Sequence, residues 1–187
     1  MKKLLFFPTF FAFAMFMLVG CNQEQQATEQ AEDINEERFE DDMEDMAEEI
    51  TELYGVNQMI LEIAQNTQGN SVLNQSLLDF NEQILNDHQQ VKDKITQLAS
   101  QKNIALPENI TYGEGTEVYE LMNTEADDYA DEYIDIISQA SDDMERNLEA
   151  LEDELDGNFP EISSFVQNTI TTVRAHEESA DEVDEEI

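Results

Sequence analysis

Two histidines, His88 and His176, are the residues of this chain best suited to chemistry, because imidazole binds transition metals and exchanges protons near neutral pH. His88 lies between Ile84 and Val91 in a stripe of apolar residues with helical spacing, and Val173 stands three residues before His176 in another. Such a stripe faces a core, where polar side chains are paired. Each imidazole therefore requires a buried partner.

Two further helical stripes contain one polar residue each, Asn57 in the first predicted helix and Ser141 in the third. Ferritin-type bundles bind metal through Glu-x-x-His motifs, which place a carboxylate one turn from each imidazole. Here Leu85 and Val173 occupy the positions three residues before the histidines. Asn and Ser are weak ligands for zinc or iron, so the ferritin set of ligands is absent from these stripes.

Two interpretations of these inward polar residues remain open. In the first, both histidines lie at the edge of the core and hydrogen-bond to Asn57, Ser141 or the backbone, which fixes the register of the helices. In the second, the two imidazoles bind one divalent metal together with Asp87 or Glu177, the adjacent carboxylates. We expect no cofactor and no enzymatic activity, because the chain shows no set of nucleophile, base and orienting residue and no glycine-rich phosphate loop.

The N-terminus has the features of a bacterial lipoprotein signal. A basic start is followed by about sixteen apolar residues, Leu4 to Val19, which is short for a membrane span. The run ends in Leu18-Val19-Gly20-Cys21, where we expect cleavage before Cys21 and acylation of that cysteine. Residues 1–20 are then the signal peptide, and Cys21 anchors the protein to the membrane. If the organism has two membranes, Asn22 in place of Asp favours the outer membrane or the periplasmic side.

The chain is strongly acidic, with 45 Asp and Glu against 8 Lys and Arg and a formal net charge of −37. Such a surface repels phosphate backbones, which excludes nucleic acid as a partner. Divalent cations held loosely by clustered carboxylates are an alternative, although no EF-hand loop is present. Any other partner in the envelope, protein or small molecule, is not identified by the composition.

Periodicity predicts an all-α fold. Residues 21–35 have no apolar stripe and are expected to form a flexible tether rich in acidic residues and Gln. Apolar stripes then predict an antiparallel four-helix bundle over 36–181, and an acidic tail is expected over 182–187. The four helices are predicted at 36–66, 72–103, 117–155 and 160–181, with the connection 108–116 crossing one end of the bundle.

Four short strings together resemble the domain of unknown function 4142 family over roughly residues 54–184: Asn86-Asp87-His88, the segment 98–107 ending in Leu106-Pro107, Tyr129 to Tyr133, and Val173-Arg174-Ala175-His176. The resemblance implies a ferritin-like four-helix protein of the bacterial envelope. The family pattern has a second Asp-His on the third helix and a Glu on the first, where this chain has Ala140-Ser141 and Asn57. Because the family has no assigned activity, the resemblance implies an architecture and a compartment.

Overall fold

The structure is a computed structural model that describes residues 23–40, 42–70, 73–108, 110, 116–155 and 159–185. These residues form six helices and no strand, which confirms the all-α prediction for this part of the chain. The helices are α1 (Gln23–Glu36), α2 (Asp42–Thr67), α3 (Gln75–Lys102), α4 (Glu117–Asn123), α5 (Tyr129–Glu154) and α6 (Pro160–Asp184). Among them, none is both long enough and apolar enough to cross a membrane.

The four long helices α2, α3, α6 and α5 contact one another in that order around a shared core, and α2 and α5 complete the ring. Hydrogen bonds between them show that neighbouring helices are antiparallel, because the residue number rises on one helix as it falls on the next. The pairs are Asn57 with His88 and Ala64 with Asn81, Lys102 with Glu161 and Asp87 with His176, and Glu152 with Gln167 and Glu145 with Arg174.

The connection predicted at 108–116 lies largely outside the described residues, and the helix ends that flank the whole segment between α3 and α5 are far apart. α3 ends at Lys102 beside Glu161, whereas α5 begins at Tyr129, whose hydroxyl lies 2.9 Å from the Thr67 hydroxyl at the end of α2. These two points lie at opposite ends of α3, a separation of about 40 Å at 1.5 Å per residue. The short helix α4 belongs to this connection and packs on α2 and α5.

The third predicted helix, 117–155, is in fact two helices, α4 and α5. The break follows Asn123 and Thr124 and includes Asp127 and Asp128, residue types that favour caps and turns over helix interiors because their side chains compete for backbone hydrogen bonds. The remaining long helices lie close to their predictions, except that α2 begins at Asp42 rather than at 36. Asn74 caps the start of α3, since its side-chain oxygen accepts the hydrogen bond from the Leu77 amide at 2.8 Å.

The predicted tether is corrected for residues 23–36, which form α1. This helix packs on α2, and its inner face contains Ala31 and Asn35, which are 3% and 2% exposed. The α1 sequence has no apolar stripe, because Asn35 on its inner face makes its contacts through hydrogen bonds. Hydrophobic periodicity therefore did not predict this helix. The predicted tail is corrected as well, because α6 continues to Asp184 and buries Val183. The signal peptide and Cys21 lie outside the described residues.

Two buried tyrosines hold the α5 end of the core in place. Tyr129 and Tyr133 are 8% and 0% exposed, so both phenol rings lie within the core. Tyr133 donates to the Asn81 side chain at 2.9 Å, and Asn81 donates in turn to the Ala64 carbonyl at 3.1 Å. Burial raises the pKa of Tyr133, and the neighbouring Tyr129 raises it further. The phenol therefore stays protonated and serves as a fixed hydrogen-bond donor.

Candidate functional site

The two histidines meet in the interior between α3 and α6. His88 and His176 are each 1% exposed, so both lie in the core itself and not at its edge as predicted. Their ring centroids are 5.2 Å apart, and the ring planes are inclined by 36°. Antiparallel packing of α3 and α6 brings together two residues separated by 88 positions in the chain.

Asn57 fixes the orientation and the tautomer of His88. The Asn57 amide nitrogen donates to the backbone carbonyl of His88 at 3.2 Å, which leaves the amide oxygen as the acceptor. That oxygen lies 2.9 Å from Nδ1 of His88, so Nδ1 is the ring nitrogen that bears the hydrogen and donates. Nε2 of His88 then bears a lone pair of electrons, and this nitrogen is buried without a hydrogen-bond partner among the described residues. The first interpretation expected Asn57 beside a histidine, and the structure places it there.

Asp87 performs the corresponding role for His176. Its Oδ2 lies 3.0 Å from Nε2 of His176, and a carboxylate accepts, so the Nε2 hydrogen is donated to Asp87. Nδ1 of His176 is buried and has no partner in the part of the chain that the structure describes. Two adjacent residues of α3 thus contact the His176 ring, because the tilted ring of His88 lies against it while Asp87 binds it through a carboxylate that is 30% exposed.

Burial keeps the His88 ring uncharged. Removal of the imidazole from water, with a smaller contribution from the neighbouring His176, lowers the pKa of His88 from 6.5 to about 3. The ring is therefore neutral at any physiological pH. A neutral imidazole whose Nδ1 hydrogen is donated to an amide oxygen presents its Nε2 lone pair as an acceptor or a metal ligand.

Ser141 and Glu177 complete the set of residues singled out from the sequence. Ser141, on α5, is 1% exposed, and its hydroxyl is buried without a partner among the described residues. It is not placed in a hydrogen bond to either histidine. Glu177 follows His176 on α6 but interacts with the α5 carboxylates Asp142 and Glu145. Burial raises the pKa of Glu177, and those two carboxylates raise it further.

The described residues contain no group of three or more His, Cys, Asp or Glu side chains that could hold a metal ion. Asp87 and Glu177, considered as ligands beside the two imidazoles, do not complete such a group. Asp87 instead takes the position of an outer partner, which binds the far nitrogen of an imidazole. This role was missed from the sequence, because residue 87 points about 100° around the helix from residue 88 and its partner lies on another helix.

A family model described as "Domain of unknown function (DUF4142)" matches residues 28–183. The match covers most of the chain and includes all six of the histidine, amide, hydroxyl and carboxylate residues described above, so the chain belongs to this family. No curated protein and no solved structure matches the chain.

Proposed function

We propose that this member of the DUF4142 family is a lipid-anchored protein of the bacterial cell envelope, attached through acylated Cys21, with a structural or binding role and no enzymatic activity. The observation that carries the proposal is the string Leu18-Val19-Gly20-Cys21 at the end of an apolar leader. More than one acyl chain on a residue gives stable attachment without a transmembrane helix. In an organism with two membranes, Asn22 favours the outer membrane or its periplasmic side.

The proposal includes a ferritin-like four-helix bundle as the body of the protein. Two features support it: the closed ring of antiparallel long helices, and the long segment between the second and third of them, which joins helix ends that lie far apart. Ferritin-like folds are bundles with one such crossover connection.

The geometry of the interior supports a role other than catalysis. One nitrogen of each imidazole is committed to a neighbour, that of His88 to Asn57 and that of His176 to Asp87. Both imidazoles are almost fully excluded from solvent, at 1% exposure each, which argues against direct contact with a dissolved substrate. The carboxylate and amide partners hold α2, α3 and α6 in register instead.

The anchor is tested by replacing Cys21 with serine in the native host. We expect the Cys21→Ser protein to lose acyl labelling and to leave the membrane fraction, whereas Asn22→Asp keeps the label and serves as the matched control. If the serine variant still sediments with membranes after a carbonate wash, the anchor assignment is wrong.

One observation favours a second candidate function, in which the bundle binds a transition metal at His88 and His176. Each ring has one nitrogen bound to an oxygen partner and a second nitrogen buried and unpaired. Metal-binding histidines usually have this arrangement, with the far nitrogen donating to a carboxylate or an amide. Two imidazoles on one tetrahedral zinc ion have ring centroids roughly 5 Å apart, close to the separation of these rings.

Metal analysis of protein purified without a histidine tag separates the two candidates. Under the leading proposal we expect well under one tightly bound transition metal per chain. Stoichiometric iron, zinc or manganese that disappears in the His88→Gln/His176→Gln double variant would establish the second candidate in its place. A Ser141→Ala variant is the matched control, since it changes a third buried polar residue of the same core.

A further inference from the structure

A cavity of about 570 Å³ lies outside the histidine pair, between α1, the last turns of α3 and the segment 104–108. Its volume falls within the range of small-molecule sites, roughly 300 to 1,000 Å³. Small side chains create the space, because Ala27 and Ala31 of α1 face Ala99 and Ser100 of α3 across it.

Hydrogen bonds at one end of the cavity fix its walls relative to one another. Asn35 of α1 accepts a hydrogen bond from the Ala105 amide at 2.7 Å and donates to the Ala105 carbonyl at 3.0 Å. The side-chain nitrogen of Asn35 also donates to the Thr51 hydroxyl of α2 at 3.2 Å. Arg38 donates to the Asn103 carbonyl. Five residues of three segments are thus joined at one end of α1, and the cavity is a feature of the packed fold.

The walls are almost free of charge, in contrast to the rest of the molecule. Of the thirteen described residues that line the cavity, one is charged, Glu108, and none is basic. In the whole chain 28% of residues are charged. Ile34 is 39% exposed on this wall, and Tyr54 and Leu106 are half-buried there. Apolar side chains that remain in contact with water around a concave site mark a surface suited to an apolar ligand.

The cavity also lies near the proposed point of membrane attachment, a step that rests on the proposed anchor. Ala27 follows Cys21 by six residues. Six residues span at most about 20 Å, whatever their conformation. An acylated Cys21 would therefore hold the cavity close to the membrane surface, where single-chain lipids are available.

We propose that this cavity binds a neutral single-chain amphiphile, such as a monoacylglycerol, drawn from the adjacent membrane. The acyl chain occupies the uncharged space, and the hydroxyl head lies at the rim, where Gln30, Thr96 and Ser100 are exposed. A fatty-acid anion is disfavoured because the described part of the chain places no cation in the cavity lining and the net charge of −37 repels an anion.

Binding is measured with the Cys21→Ser protein in solution, using the neutral fluorescent probe N-phenyl-1-naphthylamine. We expect saturable binding of about one probe per chain, displacement by monooleoylglycerol, and displacement by oleate that needs at least about tenfold more ligand. Equal displacement by the two, or by oleate alone, would overturn the assignment of a neutral ligand.

Two substitutions that fill the cavity locate the site. Ala27→Trp acts from α1 and Ser100→Trp from α3, so that a folding defect in one leaves the other informative. Each is expected to weaken monooleoylglycerol binding at least about tenfold, whereas Gln26→Trp, on the exposed neighbour of Ala27, leaves it within about twofold. If the two cavity variants bind as the unmodified protein does, the ligand lies elsewhere and the proposal is wrong.

The result of the probe-binding experiment does not depend on the result of the Cys21 anchor test. Membrane fractionation decides whether Cys21 is acylated, while the Cys21→Ser protein reports on the cavity without any acyl chain of its own. Acylated protein extracted from membranes is expected to bind the probe as well. If it does not, and the serine variant does, the anchor's own chain fills the cavity and the proposal of a free membrane ligand is overturned.

Discussion

Replacement of His88 by glutamine is expected to destabilise the protein at neutral pH and to do so less as the pH falls. The Asn57 amide oxygen accepts the Nδ1 hydrogen of His88 at 2.9 Å and would lose this well-placed donor in the core. A buried acceptor left unsatisfied costs about 1 to 3 kcal/mol. We expect a loss of this size at about pH 7.5, where His88 is neutral in both the folded and the unfolded chain.

The pH dependence follows from the pKa of His88, which is lowered from 6.5 to about 3 on folding. A depressed pKa contributes stability that is present above 6.5 and is lost as the pH falls from 6.5 towards 3, because the unfolded chain takes up a proton that the folded chain does not. At one pH unit below 6.5 this loss is about 1.4 kcal/mol in the native protein and is absent from the glutamine variant. The difference in unfolding free energy should therefore shrink by about 1.4 kcal/mol between pH 7.5 and pH 5.5.

Urea unfolding followed by far-ultraviolet circular dichroism, in the Cys21→Ser background at constant ionic strength, measures the difference at both pH values. Other titrating groups, including those whose contribution to stability falls as the pH rises, cancel in this difference because both proteins contain them. Glu49 is one, because burial and the neighbouring Glu52 and Glu48 raise its pKa to about 7, and the stability it contributes is lost as the pH rises through that value. A difference between native and His88→Gln proteins that stays constant with pH would refute the view that folding keeps His88 neutral.

Three further outcomes are expected. Ser141→Ala should leave unfolding free energy unchanged or raise it by up to about 1 kcal/mol at every pH, because it removes a buried hydroxyl without a partner; a loss above about 1 kcal/mol would show that the hydroxyl is bonded. Asn35→Leu should cost about 1 to 3 kcal/mol and speed proteolysis within α1, while Asp33→Leu on the exposed face changes stability by less than about 0.5 kcal/mol; equal effects would contradict the Asn35 contact. The melting temperature should rise with added sodium chloride, because screening weakens repulsion within a chain of net charge −37, and a melt that does not respond would remove the charge argument.

The long helices were predictable from the sequence because their signal is local. Apolar side chains every three or four residues, together with scarce glycine and proline, indicate helices whatever lies beside them, and a stripe such as that of α3 needs no partner to be recognised. The same pattern identified His88 and His176 as inward-facing, which the structure places at 1% exposure. The charge of the chain and the leader that ends at Cys21 are likewise properties of the sequence alone.

Tertiary structure decided which polar atoms meet. Asp87 bonds to His176 and Asn57 to His88 because of the relative register of α2, α3 and α6. The spacing of residues along a single helix does not determine that register. The same holds for α1, since Asn35 binds the backbone of Ala105 seventy residues away and the helix has no apolar stripe to reveal its contact. Hydrophobic periodicity reports the face of a helix that leaves water, whereas a hydrogen bond requires two particular atoms within about 3 Å, and only the packed chain sets that separation.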